Sequence, residues 1–203
     1  MVEMIVRGYR KRYVYKLWVD DSSRPGMVCV GRDDKGFDSL RFYAGNRIED
    51  WPEGIKFFVE HQYTEDILIG GIHWVLVSDR VCQVFELSMF SGIQFLPVWV
   101  EEKASGSKIG QYWAINVTKE VEALDWEHTR WVYPDRVETD EHPALNIAKE
   151  VLKSNLVEGV DIFRLRTKGR GGVNVYLSKK VKRCLETANA TKGLLFIPIE
   201  IWP

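Results

Sequence analysis

The sequence predicts an α+β fold, with a mixed or antiparallel sheet carrying two repeated strand–helix–strand units. Three observations predict it. Residues 75–98 (VLVSDRVCQVFELSMFSGIQFLPV) recur as residues 175–199 (VYLSKKVKRCLETANATKGLLFIPI). Short β-branched segments elsewhere alternate apolar and polar residues, the period of a half-buried strand. A helical period falls at the same place in each copy. Val75, Val77, Ser78, Val81 and Glu86 align with Val175, Leu177, Ser178, Val181 and Glu186. After a one-residue shift, Gly92, Phe95, Pro97 and Val98 align with Gly193, Phe196, Pro198 and Ile199.

Taken in order, residues 7–20 read as a strand, with Tyr13, Tyr15 and Leu17 alternating against Val14, Lys16 and Trp18. Turn clusters at 22–26 and 33–36 flank a short strand near 27–30. Residues 37–43 look like a further strand closed by Gly45-Asn46, and 55–59 like another. In the first unit Ser78 is placed to cap a helix, with Val81, Val84, Phe85 and Met89 near one stripe. Gly92 is placed to end that helix in the left-handed conformation, and Pro97 marks a strand edge or end. Residues 101–110 (EEKASGSKIG) form a loop, 111–117 a strand, 121–125 one helical turn, and 129–133 a strand. An acidic loop spans 134–143. Residues 144–159 stay open: Leu145, Ala148, Leu152 and Leu156 give a helical stripe, whereas 147–152 also suit a strand. Residues 161–166 (DIFRLR) alternate cleanly. In the second unit Ser178 caps, Val181, Cys184, Leu185 and Ala188 form the stripe, and Gly193 and Pro198 repeat the ending. The expected organisation is a single α+β domain over 1–203, with a strand-rich part at 1–65 and a duplicated core at 66–203.

Composition narrows the class. The chain has 203 residues, 45% apolar and 12% aromatic, which excludes a disordered chain. The longest apolar run, 67–77, is broken by His73 and too short for a bilayer. The N-terminus shows no apolar signal region. Cys29, Cys82 and Cys184 are odd in number and widely spaced, against a disulfide framework or a metal knuckle. A cytoplasmic location is expected. Net charge is −1, yet residues 1–48 carry +4, 49–142 carry −11 and 143–203 carry +6. Either the fold interleaves these segments so that charges pair, or an acidic face steers a basic partner.

Catalytic signals are poor. Lys168 to Gly172 (KGRGG) lacks the phosphate-loop spacing and reads as a turn. His61, His73, His128 and His142 show no metal-ligand spacing, and no serine sits in a nucleophile elbow. No catalytic residue, metal ligand or cofactor is assigned. A small hydrolase or transferase assembled only by the fold is one alternative. Nucleic-acid binding through Arg7, Arg10, Lys11, Arg12 and Lys16 is another, disfavoured by Asp20, Asp21 and the net charge. It would need those side chains to share a face with Arg164, Arg166, Lys168 and Arg170. Surface recognition is what remains: Glu122, Asp125, Trp126, Glu127, Trp131, Tyr133, Asp135 and Glu138 combine aromatic anchors with carboxylates, as an interface for a basic protein partner does. The equal alternative is that Trp126 and Trp131 are core and the acids only solubilise.

One family shares these motifs. The pattern runs through Val77, Ser78 and Arg80; Gly92, Phe95 and Pro97; Asn116-Val117; Ala123, Leu124 and Asp125. It continues with Ile162 to Leu165 (IFRL), Leu177-Ser178, then Gly193, Phe196 and Pro198. In these the chain resembles immunity protein family eleven of the bacterial polymorphic-toxin systems, formerly a domain of unknown function. The likeness covers roughly residues 66–203 and is looser over 1–65, apart from Trp51-Pro52. It implies an α+β protein encoded beside a secreted toxin, which it binds and neutralises without catalysis. It supplies no catalytic residues. The polar helix end at 187–191 and the 101–110 loop depart from the pattern and are where partner specificity would vary.

Overall fold

Two six-stranded mixed sheets meet across a shared apolar core in the computed structural model, which describes residues 12–19, 29–60, 65–71, 74–133, 147–167 and 170–203. The first sheet uses β2 (Gly31–Asp33), β3 (Lys56–Val59), β4 (Ile67–Ile69), β5 (Val75–Ser78), β6 (Ile93–Glu102) and β7 (Lys108–Val117), in the order β2-β3-β6-β7-β5-β4. The second uses β1 (Arg12–Val19), β8 (Glu120–Val121), β11 (Val151–Lys153), β12 (Ile162–Thr167), β13 (Arg170–Leu177) and β14 (Leu194–Trp202), in the order β11-β14-β1-β13-β12-β8. A separate ladder joins β9 (Arg130–Trp131) to β10 (Ile147–Lys149). The helices are α1 (Asp79–Leu87), the single turn α2 (Ser154–Val157) and α3 (Lys179–Thr187). The α+β class holds, with two mixed sheets in place of the one expected.

In the first sheet β7 lies between β5 and β6 and runs antiparallel to both. In the second, β1 lies between β13 and β14, again antiparallel to both. The pairing of β1 with β14 runs from Arg12↔Ile201 to Val19↔Leu194. Each sheet adds one parallel strand beside the strand that follows its helix, β3 on β6 and β11 on β14. Between the sheets Leu17, Val77, Ile115, Val175 and Leu177 pack with Val81 and Phe85 of α1 and Val181 and Leu185 of α3.

The helix starts follow from their serines. Ser78 and Ser178 have extended backbones, and each Oγ accepts the N–H three residues on, from Val81 at 3.4 Å and Val181 at 3.3 Å. Each hydroxyl in turn donates to a carboxylate, Asp66 at 2.7 Å and Asp161 at 2.9 Å. The two carboxylates differ in burial. Asp66 is only 1% exposed, and takes Nε and Nη2 of Arg80 and the backbone N–H of Lys192 at 2.7 Å. Its own N–H donates to the Lys192 carbonyl at 2.7 Å. Asp161 meets Lys180 at 3.5 Å near the surface.

Several local expectations need correction. The left-handed residues that close α1 and α3 are Met89 (φ 52°) and Asn189 (φ 51°). Gly92 and Gly193 come later, in the turns into β6 and β14. Gly92 is needed for a close approach, since a Cβ there would lie 2.8 Å from Lys119 Cβ. Met89 is 88% exposed, so it leaves the α1 stripe; Ala188 likewise leaves that of α3.

Pro97 and Pro198 lie inside β6 and β14, which are internal strands, not at strand ends. The physical reason is a gap: β3 joins β6 only from Trp99 and β11 joins β14 only from Glu200. Each proline therefore faces a stretch with one ladder, where its missing N–H costs nothing.

The segment 37–43 leads into a 3-10 helix, Ser39–Ala44, rather than a strand. Asp38 accepts the Leu40 N–H at 2.9 Å, and Gly45 (φ 68°) ends the turn. Instead of a helical turn, 121–125 hold the end of β8 and a bridge from Leu124 to Leu152. The open segment resolves into β10, β11 and the single turn α2 over its described residues. The 101–110 loop shrinks to 103–107, because β6 and β7 reach further. The turn at 22–26 lies outside the described residues, as does part of the 27–30 strand.

Removing either cap hydroxyl, Ser78→Ala or Ser178→Ala, is expected to cost about 1 kcal/mol of stability in urea unfolding. Asp66→Ala is expected to cost about 3 kcal/mol, because it strips a buried network of its central carboxylate. Asp161→Ala, at the half-buried counterpart, should cost well under half of that.

Candidate partner-binding surface

The outer face of the second sheet is covered by chain from 121–131 and 147–157. Ala123, Leu124, Leu152 and Val157 bury Phe163, Leu165, Tyr176 and Ile199 beneath them. Short extended pieces anchor this cover: β8 pairs in parallel with β12, and the Asp125 N–H donates to the Val151 carbonyl at 2.9 Å. At Asp125 the chain must leave the surface and turn, and its carboxylate organises that turn. It accepts the N–H groups of Glu127 and His128, both at 3.1 Å, and meets His128 Nδ1 at 3.0 Å. Burial pushes the Asp125 carboxyl up, but the bonds from His128 and the Glu127 N–H outweigh it and leave the group below the usual carboxylate range.

This turn presents aromatic rings. Trp126 stacks on Trp131 with centroids 5.2 Å apart and planes at 21°. Trp131 packs against the core below, while Trp126 stays 39% exposed. On the other side His128 stacks on Trp202 at 4.5 Å. Between them lies an open hollow of about 630 Å³, lined by Trp126, Glu127, His128, Lys153, Asn155 and Trp202 among others. Tyr133 and Val132 project nearby, both largely exposed.

Of the residues expected to recognise a partner, Trp126 and Trp131 stack, Glu127 lines the hollow beside them, and Tyr133 is exposed two residues further on. Glu122 is exposed, 3.7 Å from Arg166. Asp125 is buried and holds the turn instead of facing out. Asp135 and Glu138 lie outside the described residues. Sequence reasoning missed His128 as a stacking partner and Trp202 altogether. The Asp125-x-x-His128 spacing was a local signal for the turn; nothing near Trp202 announces a contact with residue 128.

Much of the uneven charge pairs off. Glu120 meets Arg164 at 3.1 Å, Glu122 meets Arg166 at 3.7 Å and Glu65 meets Lys192 at 3.7 Å, each joining the acidic middle to the basic C-terminal third. Arg164 is buried and donates to the Phe42 carbonyl, so it offers no charge to a basic surface. Arg12 and Lys16 meet Glu158 and Glu150 at 3.8 and 3.3 Å; Arg7, Arg10, Lys11 and Lys168 lie outside the described residues. The continuous basic face that nucleic-acid binding required is interrupted at Arg164.

Two of the three thiols, Cys29 and Cys82, are held away from ionisation. Burial pushes Cys29 up to about 12, and burial with Glu86 and Asp79 does the same to Cys82. A thiol raised this far is not a nucleophile at neutral pH. Among the described residues no group of His, Cys, Asp and Glu could hold a metal ion, and no helix is long and apolar enough to cross a membrane. His61, His73 and His142 lie outside those residues.

Against known proteins, the model of the immunity protein family Imm11 matches residues 7–200. No curated protein matches the chain.

Asp125→Asn is expected to lower stability by about 1–2 kcal/mol at neutral pH, since the turn loses its ionised acceptor. The folded carboxyl titrates below its unfolded value, so its contribution is complete above about pH 4 and fades as pH falls through the folded value. The gap between wild type and Asp125→Asn in chemical unfolding should accordingly narrow in acid. A gap independent of pH would assign the cost to shape alone.

Proposed function

The chain belongs to the Imm11 immunity protein family, and from that premise we propose that it neutralises a cognate bacterial toxin by occupying the toxin's surface, making and breaking no bond. The match over residues 7–200 is the observation that carries this reading. The protein works in the cytoplasm, as the immunity half of a polymorphic toxin system. The docking face centres on Trp126, Trp131 and Tyr133, with Glu122 and Glu127 at its rim. Half-exposed indoles held by a pinned turn suit such a role, because a rigid aromatic anchor loses little entropy on binding. The interface would be of ordinary size, on the order of 800 Å² per partner. Carboxylates at the rim steer it toward a basic toxin surface.

The same proposal extends to the architecture. Residues 75–98 and 175–199 are two copies of one strand–helix–strand unit, in a single domain over 1–203. The matched serine caps, the matched left-handed residues Met89 and Asn189, and the antiparallel strand inserted in each unit support this. In the first copy the inserted strand follows in sequence as β7. In the second it comes from the far end of the chain as β1.

Co-expression with the product of the neighbouring toxin gene should yield a complex that copurifies. Trp126→Ala should weaken that complex by about 2 kcal/mol in calorimetry, roughly thirtyfold, while its melting temperature stays within a few degrees of wild type. The association rate should fall with added salt. A rate indifferent to ionic strength would remove the steering, and failure to copurify would remove the reading itself.

A further inference from the structure

The C-terminal ends of α1 and α3 match bond for bond. Ser88 donates its N–H to the Val84 carbonyl at 3.1 Å, and Ala188 to Cys184 at 3.0 Å. Met89 donates to Glu86 at 3.0 Å, and Asn189 to Glu186 at 3.1 Å. Phe90 donates to Phe85 at 3.2 Å, and Ala190 to Leu185 at 2.9 Å. The side chains carried on this common backbone differ. Where α3 ends on Thr187 and Asn189, α1 ends on Leu87 and Met89.

Leu87 is 84% exposed and Met89 88%, more than any other large apolar residue among the described ones. The fold does not require them, because the other helix closes in the same way with polar residues. Met is also a poor choice at a φ of 52°, a conformation that Asn tolerates far better. An apolar residue there carries a backbone cost that burial does not offset.

The support beneath them is firm and its surroundings are basic. Phe90 is buried and meets Phe85 edge-on at 5.7 Å, so the tip cannot fold inward. Lys180 Nζ lies 5.0 Å from the Phe90 ring, which brings the first turn of α3 alongside. That turn carries Lys179 and Lys180, with Arg183 one turn on, all exposed. Lys119 stands on another side, against Gly92. The acids of the region are the exposed Glu86 and Asp161, which meets Lys180 at 3.5 Å. Cations outnumber acids around two bare apolar side chains.

This combination discriminates between kinds of partner. Leu is under-represented at the hot spots of protein interfaces, and Lys is depleted there. At the boundary of a lipid layer both are usual, the apolar side chains entering the acyl region and the lysines staying among anionic headgroups.

We infer that the end of α1 is a contact point for an anionic lipid surface, with Leu87 and Met89 inserted and Lys119, Lys179, Lys180 and Arg183 against the headgroups. Two inserted side chains make the contact peripheral and reversible. α3 packs on the face of the second sheet opposite the cover that bears Trp131 and its stacked Trp126. A chain held this way keeps its candidate docking face turned elsewhere. The inference goes beyond the toxin-binding reading and does not depend on it.

Flotation of the full chain with lipid vesicles tests it. The chain should float with vesicles of phosphatidylcholine containing about one third phosphatidylglycerol, stay behind with phosphatidylcholine alone, and be released by salt. The double variant Leu87→Thr, Met89→Asn borrows the residues of the other helix end. It should partition about tenfold more weakly or worse, while its melting temperature stays level or rises by a few degrees. Should the double variant not fold, Met89→Gly, which relieves the left-handed backbone, takes its place. Vesicles that leave the wild-type chain behind overturn the inference, as does binding that ignores lipid charge or the variant. Loss of the toxin complex in the variant, without wild-type vesicle binding, would assign the tip to a protein interface. Self-association of the wild type that the variant abolishes, again without vesicle binding, would assign it to a second copy. Either result overturns the lipid contact and leaves the toxin-binding reading standing.

Discussion

The carboxylate of Asp66 is the constraint on which the two sheets depend. It stands at the start of β4, almost without solvent, and each of its oxygens is committed. Ser78 fixes the start of α1 through it, Arg80 supplies the opposing charge, and the Lys192 amide brings in the turn before β14. Burying an ionised carboxylate is costly by itself; the bidentate guanidinium and the aligned hydroxyl and amide offset that cost. The result is a contact between residues 126 positions apart that admits little slack. Tyr112, whose hydroxyl donates to the Glu65 carbonyl, and Lys192 Nζ near Glu65 brace the same corner.

A second buried charge works at the other side of the junction. Arg164 of β12 reaches across to the Phe42 carbonyl and to Glu120. The 3-10 helix of the first sheet's cover is thereby tied to the second sheet. These polar ties and the apolar layer between the sheets hold the halves, and the cover over the second sheet sits on that firm base. Its turn at 126–128 can then present indoles without collapsing them into the core.

Legibility followed the range of the forces involved. The starts of the two capped helices, β5, β7 and β12 were readable because Ser caps and alternation act within a few residues. Even there the glycines misled: Met89 and Asn189 take the positive φ, and Gly92 serves a close approach to Lys119 that only the fold creates. Residues 37–43 alternate like a strand, yet Asp38 and Gly45 were the better guides, being start and stop signals for a helical turn. At the candidate surface the aromatic residues were legible and the acids only partly so. Asp125 looks like its acidic neighbours in sequence, but its spacing to the His128 N–H makes it a turn former. Trp202 lay beyond any local reading.

The strand β1 sits in the middle of the second sheet, between β13 and β14, yet is made some 180 residues before the latter. A ribosome adds roughly 5–20 residues per second, so the strand waits on the order of ten seconds or more for its neighbour. Until then Val14 and Leu17, both destined for burial, have no wall to lie against. The second sheet therefore closes only once β14 has been made, and its central strand spends that interval without its full set of neighbours.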